Sequence, residues 1–429
     1  MLKELRIKNF KSINEEQIFT MEACPKNVVS EYYNQHIISI KGEKLLKVSS
    51  FYGPNGGGKS NLIKAFSVLR SVVLGAPMVA DYGCDKPFFS SLFSNDKNIT
   101  IELFIVTNDF EIGYSISFEA SYFNEEDEIS YPRRSRVNVE INKEEMIFRH
   151  LENREFSQLF ERKKESISSN ISAISKIDLI RNKNSLSDNV SFVGYLAKTF
   201  SESSNLEELK PVFALYKELY FATLLSSDRP QMPIAYGDSY VSKAKPLIPK
   251  VVEVLNKFDF RIKDIVFKKN KERMNILFIK RESTNGKETL LPLSSESSGT
   301  KKIVNIVFSI LMNANSSIYM ADDFDSFLHP KLVRSIVELF ASEDNTQKQL
   351  IMNSHDIINM NNELFRRDEI WFAYRDENYS TIYQPLSNIV DYKGDMIRKD
   401  AKYGKQYLEG KYGADPFVQC GLKWKDIDR

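Results

Sequence analysis

Apolar and polar positions alternate from the first residues of the chain. In MLKELRIKNFKS, Leu5, Ile7 and Phe10 fall on one side and the charged residues on the other, which predicts a strand over 2–10. A second apolar stretch, 37–52, contains Ile37-Ile38-Ser39-Ile40 and closes on Val48-Ser49-Ser50-Phe51-Tyr52, again predicting strand. The period then changes. From residue 59 to about 74 apolar residues return every three or four positions, as on a helix with one buried face, and Gly75-Ala76-Pro77 marks its end. After an aromatic-rich connection with Pro87-Phe88-Phe89, alternating runs at 99–106, 111–118 and 136–141 predict an antiparallel sheet, with Asn142-Lys143 as a turn into Met146-Ile147-Phe148.

Helical spacing takes over across 151–220. It is carried by Phe156, Leu159 and Phe160, then Phe192, Val193, Leu196 and Phe200, then Leu206, Leu209, Val212, Phe213 and Tyr216. This predicts a helical insertion, in which the Ser-rich, charged stretch 163–188 reads as a solvated helical face, with a mobile or partner-facing surface as the other reading. A helix over 246–258, strands over 262–267 and 274–279, an apolar helix over 303–312 and a buried strand over 317–321 complete an α/β chain.

Composition narrows the classes. Lys+Arg 59 against Asp+Glu 58 leaves a net charge of +1, so the chain as a whole has no electrostatic pull on nucleic acid or an anionic membrane. Cys24, Cys84 and Cys420 are far apart and lack metal-ligand spacing, which fits a reducing compartment and predicts no zinc site. The first residues read as a strand rather than a signal peptide, and the most apolar windows, 68–80 and 303–312, are too short or carry Arg70 and Asn305. A soluble cytoplasmic protein with no membrane span is expected.

The chemistry gathers where strand 48–52 meets helix 59–74. Between them Gly53-Pro54-Asn55-Gly56-Gly57-Gly58-Lys59-Ser60 has the spacing G-x-x-x-x-G-K-S. Glycines let backbone N–H groups turn inward onto phosphate oxygens, Lys59 brings positive charge to the β and γ phosphates, Ser60 offers a hydroxyl to Mg²⁺, and the helix adds its positive end. A nucleoside triphosphate with Mg²⁺ is the expected ligand. Ser297, Ser298 and Gly299 open the helix that contains 303–312, an anion-binding arrangement with donor hydroxyls that read alone is also an ordinary cap. The strand at 317–321 ends in Asp322 and Asp323, placed to hold a Mg²⁺ shell and to orient water, and 349–352 leads to Asn353-Ser354-His355 beside them.

Taken together, LRIKNFKSI, GPNGGGKSN, ESSGTKK, IYMADDFDSFLHP and NSHD resemble, in order, the motifs of ABC-type ATPase heads of the SMC and RecF class. Within that class the chain is most similar to bacterial AAA/ABC-like ATPases of the overcoming-lysogenization-defect and Rlo type, and the tail YLEGKYGADPF resembles their close. The resemblance implies an ABC-type P-loop head with an antiparallel β subdomain and a helical insertion. It divides the chain into an ATPase lobe over 1–150, the insertion over 151–225 and a second ATPase lobe over 226–429. It implies that Gly53, Asn55, Gly56, Gly57, Gly58, Lys59, Ser60 and Asn61 form the phosphate loop and helix start. Ser297, Ser298 and Gly299 would be the signature, Asp322 the Walker B aspartate with Ser60 on the metal, and residues 326–329 a dimer-contact loop. Asp323 would be the catalytic base and His355 the γ-phosphate switch, while Lys11 stands at a basic position that approaches nucleotide in such heads and reads equally well as a surface lysine.

Two departures matter. No glutamine occurs between Gln35 and Gln158, so the family's metal-contacting glutamine has no counterpart, and Asp323 is one methylene shorter than the usual glutamate. A catalytic group displaced by that much can slow turnover about 100-fold, so tight binding with slow hydrolysis is expected. The resemblance further implies two heads paired head to tail around two ATP molecules, regulating a separate effector, a nuclease or toxin, in anti-phage defence. A DNA-repair or chromosome-structure ATPase is the alternative, disfavoured by the near-zero charge and the lack of long heptad arms. A transporter ATPase ranks below both. A self-contained nuclease ranks last.

Overall fold

Five buried residues in a row, Val48–Tyr52, have no face suited to water. The computed structural model places them inside a six-stranded sheet. Residues 1–24, 31–76, 96–122, 137–164, 166–171, 188–200, 206–225, 236–271, 273–282, 286–390, 394, 397–398 and 401–414 are described. In chain order the strands are β1 (Leu2–Lys8), β2 (Gln17–Thr20), β3 (Ile37–Ile40), β4 (Glu43–Leu46), β5 (Val48–Tyr52), β6 (Ile99–Val106), β7 (Phe110–Tyr122), β8 (Val137–His150) and β9 (Ser157–Lys163). They continue as β10 (Ser166–Ser169), β11 (Thr223–Leu225), β12 (Asp264–Lys269), β13 (Asn275–Glu282), β14 (Glu288–Pro292), β15 (Ile318–Ala321), β16 (Gln349–Asn353), β17 (Ile370–Arg375) and β18 (Thr381–Pro385). The helices are α1 (Lys59–Leu74), α2 (Phe192–Thr199), α3 (Lys210–Phe221), α4 (Asp238–Ala244), α5 (Ile248–Lys257), α6 (Ser298–Met312), α7 (Pro330–Ala341) and α8 (Tyr403–Leu408).

The central sheet runs β11-β15-β16-β5-β17-β18, parallel except for β18. Both of its faces are covered, and successive residues serve different cores. Phe51, Met320 and Ile351 pack with α1, α2, α3 and the antiparallel sheet, while Tyr52, Tyr319, Leu350 and Met352 pack with α6 and α7. That alternation explains why these strands read as unbroken apolar runs. The antiparallel sheet, β10-β9-β8-β7-β6-β1-β2, turns Leu5, Ile7, Leu103 and Ile112 onto the same core as Leu62, Phe66 and Leu69 of α1. The outcome is an α/β P-loop architecture with an antiparallel β subdomain and a helical part, as expected. Helix α1 stops where Gly75 adopts φ 62° and its N–H reaches back to the Ser71 and Val72 carbonyls.

Three local expectations are corrected. The stretch 37–52 is a hairpin, β3 with β4, followed by β5, because Lys41-Gly42 makes the turn with both residues at positive φ. Asn142-Lys143 is no turn: β8 runs straight through it, and the extra residue is absorbed where the pairing with β7 slips between Ser117 and Phe118. Leu159 and Phe160 belong to strand β9, paired with β8, so the antiparallel sheet continues to Ser169, and among the described residues the helices of this stretch begin at Phe192. A long strand with an open edge outweighs a three-residue hint of helical spacing. Pro77, Cys84, Pro87-Phe88-Phe89, Cys420, the end of the YLEGKYGADPF tail and most of 163–188 lie outside the described residues.

Behind β5 a buried ion pair joins distant parts of the chain. His36 Nδ1 lies 2.9 Å from Glu369 Oε1, and Glu369 also accepts the Arg366 N–H at 2.8 Å. Among the described residues no helix is long and apolar enough to cross a membrane.

Candidate functional site

The phosphate loop leaves the end of β5 and is pressed against β17. Gly53 has φ +143°, and a Cβ there would lie 2.0 Å from the Ala373 carbonyl oxygen, so only glycine fits. Hydroxyls brace the loop from outside: Thr381 Oγ1 donates to Gly57 O at 3.1 Å and Tyr383 OH to Gly58 O at 3.0 Å. Arg375 Nε donates to Gly56 O at 2.8 Å at the loop's tip.

Lys59 is buried, 6 % exposed, and its ammonium folds under the loop to donate to Gly53 O at 2.9 Å and Pro54 O at 3.1 Å. Burial lowers its pKa, against the pull of Asp323, Asp322 and Asp325. Ser60 Oγ donates to Asp322 Oδ1 at 2.8 Å, and the same oxygen accepts Asn353 Nδ2 at 2.5 Å. Three elements, α1, β15 and β16, therefore deliver one residue each to a single point. A serine hydroxyl beside a carboxylate fits Mg²⁺, which takes one or two protein oxygens and leaves the rest of its shell to phosphate and water. Asn353 Oδ1, buried without a hydrogen-bond partner among the described residues, is a further acceptor next to Asp322.

Asp323 and His355 stand at the mouth of this arrangement, each about half exposed, with Asp323 Oδ1 3.9 Å from His355 Nε2. Asp323 has φ 45°, a left-handed conformation uncommon outside glycine. Its carbonyl oxygen accepts Lys302 Nζ at 2.6 Å and Ser326 Oγ at 2.9 Å. The His355 N–H donates to Asp325 Oδ2 at 2.9 Å, and burial raises the Asp325 pKa in spite of that bond. Burial likewise draws Lys302 down to about 8, against the charges of Asp325, Asp323 and Asp322. A carboxylate and an imidazole so placed can orient a water beside a phosphate held by the loop.

A cleft of about 650 Å³ opens over the outer side of the loop, lined by Asn55, Gly56, His355, Tyr374, Arg375 and Tyr407. Asn61, in the first turn of α1, donates to Ser12 Oγ at 2.7 Å, which also meets Thr381 Oγ1 at 2.7 Å. Lys11 precedes Ser12 in a tight turn, with φ 53°, so it stands next to the helix start. Ser297, Ser298 and Gly299 begin α6 as expected, with Ser297 Oγ accepting the Thr300 N–H at 3.2 Å. Among the described residues no hydrogen bond joins these three to the phosphate loop of the same chain. Sequence reading gave no role to Lys302, Asn353 or Arg375. Only Asn353, directly before Ser354-His355, carried a local signal.

Residues 48–359 match the family model described as "AAA domain, putative AbiEii toxin, Type IV TA system". The chain belongs to that family. The AAA domain so defined spans β5 to the segment just beyond His355 and contains every expected site residue except Lys11. The bracing residues Ser12, Thr381, Tyr383 and Arg375 lie outside it. No curated protein matches the chain in sequence. Among solved structures it is similar to an "SMC head domain from Thermotoga maritima", with 15 % identity, 90 % of this chain and 98 % of that chain covered and a TM-score of 0.37. A second is the "Crystal structure of the SmcHead bound to the C-winged helix domain of ScpA", with 13 % identity, the same coverage of 90 % and 98 %, and a TM-score of 0.39.

Proposed function

We propose that this AAA domain binds ATP with Mg²⁺, hydrolyses it slowly, and works as a nucleotide-driven homodimeric switch on a separate effector in bacterial anti-phage defence. The meeting of Ser60 Oγ and Asp322 Oδ1 at 2.8 Å, with the Lys59 ammonium under the same loop, carries the nucleotide reading. The family's description, which names a "putative AbiEii toxin" and a "Type IV TA system", supports the defence role; the separate nuclease or toxin effector is what the sequence motifs' resemblance implies.

In this reading the N–H groups of residues 53–60 and Asn61 cradle the phosphates, and Lys59 exchanges its carbonyl partners for the β and γ oxygens. Ser60 and Asp322 would hold Mg²⁺, which would supply neutralisation of the phosphate charge. Asp323 takes a proton from the attacking water, and His355 and Lys11 meet the nucleotide from either side. Ser297, Ser298 and Gly299 reach the γ-phosphate of the second copy, closing a pair whose opening follows hydrolysis.

Mixing the inactive Lys59→Ala and Ser297→Arg chains tests the shared site. One of the two composite sites in the mixed pair carries neither change, so partial ATPase activity should return when dimers exchange and one site suffices. Light scattering should show dimers with ATP and Mg²⁺. A mixture that stays inactive, together with monomers only, removes the paired-head reading.

A further inference from the structure

The start of α6 is fastened to the acidic loop of its own chain at two places. Lys302 Nζ donates to Asp323 O and to Ser326 Oγ, both at 2.6 Å, while Ser326 Oγ donates to the same Asp323 carbonyl at 2.9 Å, which closes a triangle. One turn earlier Gly299 comes so near Phe327 that a Cβ would lie 2.7 Å from its carbonyl oxygen. The loop between these contacts is strained at both ends, with φ 45° at Asp323 and 63° at Phe327. Such conformations are costly and persist only where the surroundings impose them.

A lysine is an expensive way to fill this place. Its half-buried ammonium bonds a carbonyl and a hydroxyl instead of a carboxylate, and a methionine would occupy the same volume without desolvating a charge. We propose that Lys302 is a positioning residue: it holds the left-handed backbone of Asp323, and with it the direction of the Asp323 carboxylate, from the helix that opens with Ser297, Ser298 and Gly299. The inference rests on the paired-head reading. There the helix start serves one nucleotide and Asp323 the other, so Lys302 ties the two sites together through a single chain.

The test uses the full chain with Lys302→Met, Lys302→Arg and Ser326→Ala. Lys302→Met should keep ATP affinity within about threefold of the parent yet lower kcat at least about tenfold, the pattern of a group acting only in the transition state. Lys302→Arg, which can also donate twice, should recover part of the loss. Backbone hydrogen exchange supplies a readout that packing alone would not move: ATP with Mg²⁺ should protect residues 323–327 in the parent and leave them unprotected in Lys302→Met. Ser326→Ala removes a single hydroxyl, so it should fold and still lower kcat a few-fold. Parental kcat in Lys302→Met, or equal loss of affinity and rate without recovery in Lys302→Arg, overturns the proposal. Should Lys302→Met fail to fold, parental kcat in Ser326→Ala overturns it instead. A parent chain that binds no ATP would fail the nucleotide reading itself, and one that binds without hydrolysing leaves the exchange experiment to decide.

Discussion

Ser60 Oγ, in the first turn of α1, donates to Asp322 Oδ1 at the end of β15 across 2.8 Å, although 262 positions separate the two residues. Ser60→Ala should leave the fold intact and raise the Mg²⁺ concentration needed for ATP binding about tenfold, the worth of one good hydrogen bond to a charged group. Asp322→Asn should raise it further, because it removes the charge as well. A Mg²⁺ titration of nucleotide binding reads both, and identical curves for parent and variants would dissociate this pair from the metal.

Lys59→Ala removes the cation beneath the phosphate loop. Charge-assisted bonds are worth about 1.5–3 kcal/mol each, so ATP affinity should fall at least about tenfold. Because Lys59 also ties Gly53 O and Pro54 O together, a modest drop in melting temperature should accompany the loss. Calorimetric titration with ATP checks the first expectation and thermal unfolding the second.

Asp323→Asn should abolish most hydrolysis and leave ATP bound. Asp323→Glu is the sharper probe, since the added methylene carries the carboxylate towards the water. Single-turnover rates should rise in Asp323→Glu if the short side chain limits the reaction. Parental turnover in Asp323→Asn would remove the residue from the chemistry.

Stability should depend on pH through His36. Burial alone would push its pKa down, but the Glu369 carboxylate against Nδ1 outweighs this and holds it above the ordinary 6.5, with Arg366 and Lys47 opposing. A basic group whose pKa is raised by folding stabilises fully below its unfolded value and loses that contribution as pH rises through the raised value. His36→Gln should therefore cost more stability at about pH 6 than at about pH 8.5, read as the gap in urea midpoint from the parent. A gap that does not change with pH would mean the pair carries no ionic interaction.

The candidate site was legible as a gathering of residues because its signals are local. Residues 53–60 spell a loop, and Asp322, Asp323 and His355 each end an apolar strand, so backbone direction alone sends them to one edge of the sheet. Leu159 and Phe160 misled because their strand exists only through its pairing with β8, a contact that local spacing does not encode. Lys302 was hidden for a related reason: on a helix it looks like a second exposed lysine beside Lys301, and its partners, Asp323 O and Ser326 Oγ, are fixed by a loop more than twenty residues on.

The bracing of the phosphate loop also sets an order in time. Residues 53–60 are made more than 300 residues before their braces: the carbonyl that Gly53 abuts belongs to Ala373, and the hydroxyls that hold Gly57 and Gly58 belong to Thr381 and Tyr383. During synthesis, at about 5–20 residues per second, the nascent chain carries a complete phosphate-loop motif that lacks these outer braces until β17 and β18 leave the ribosome. A growing chain therefore acquires this bracing only after residue 383 has emerged, and a message cut short before residue 370 yields a product with the motif and without its braces.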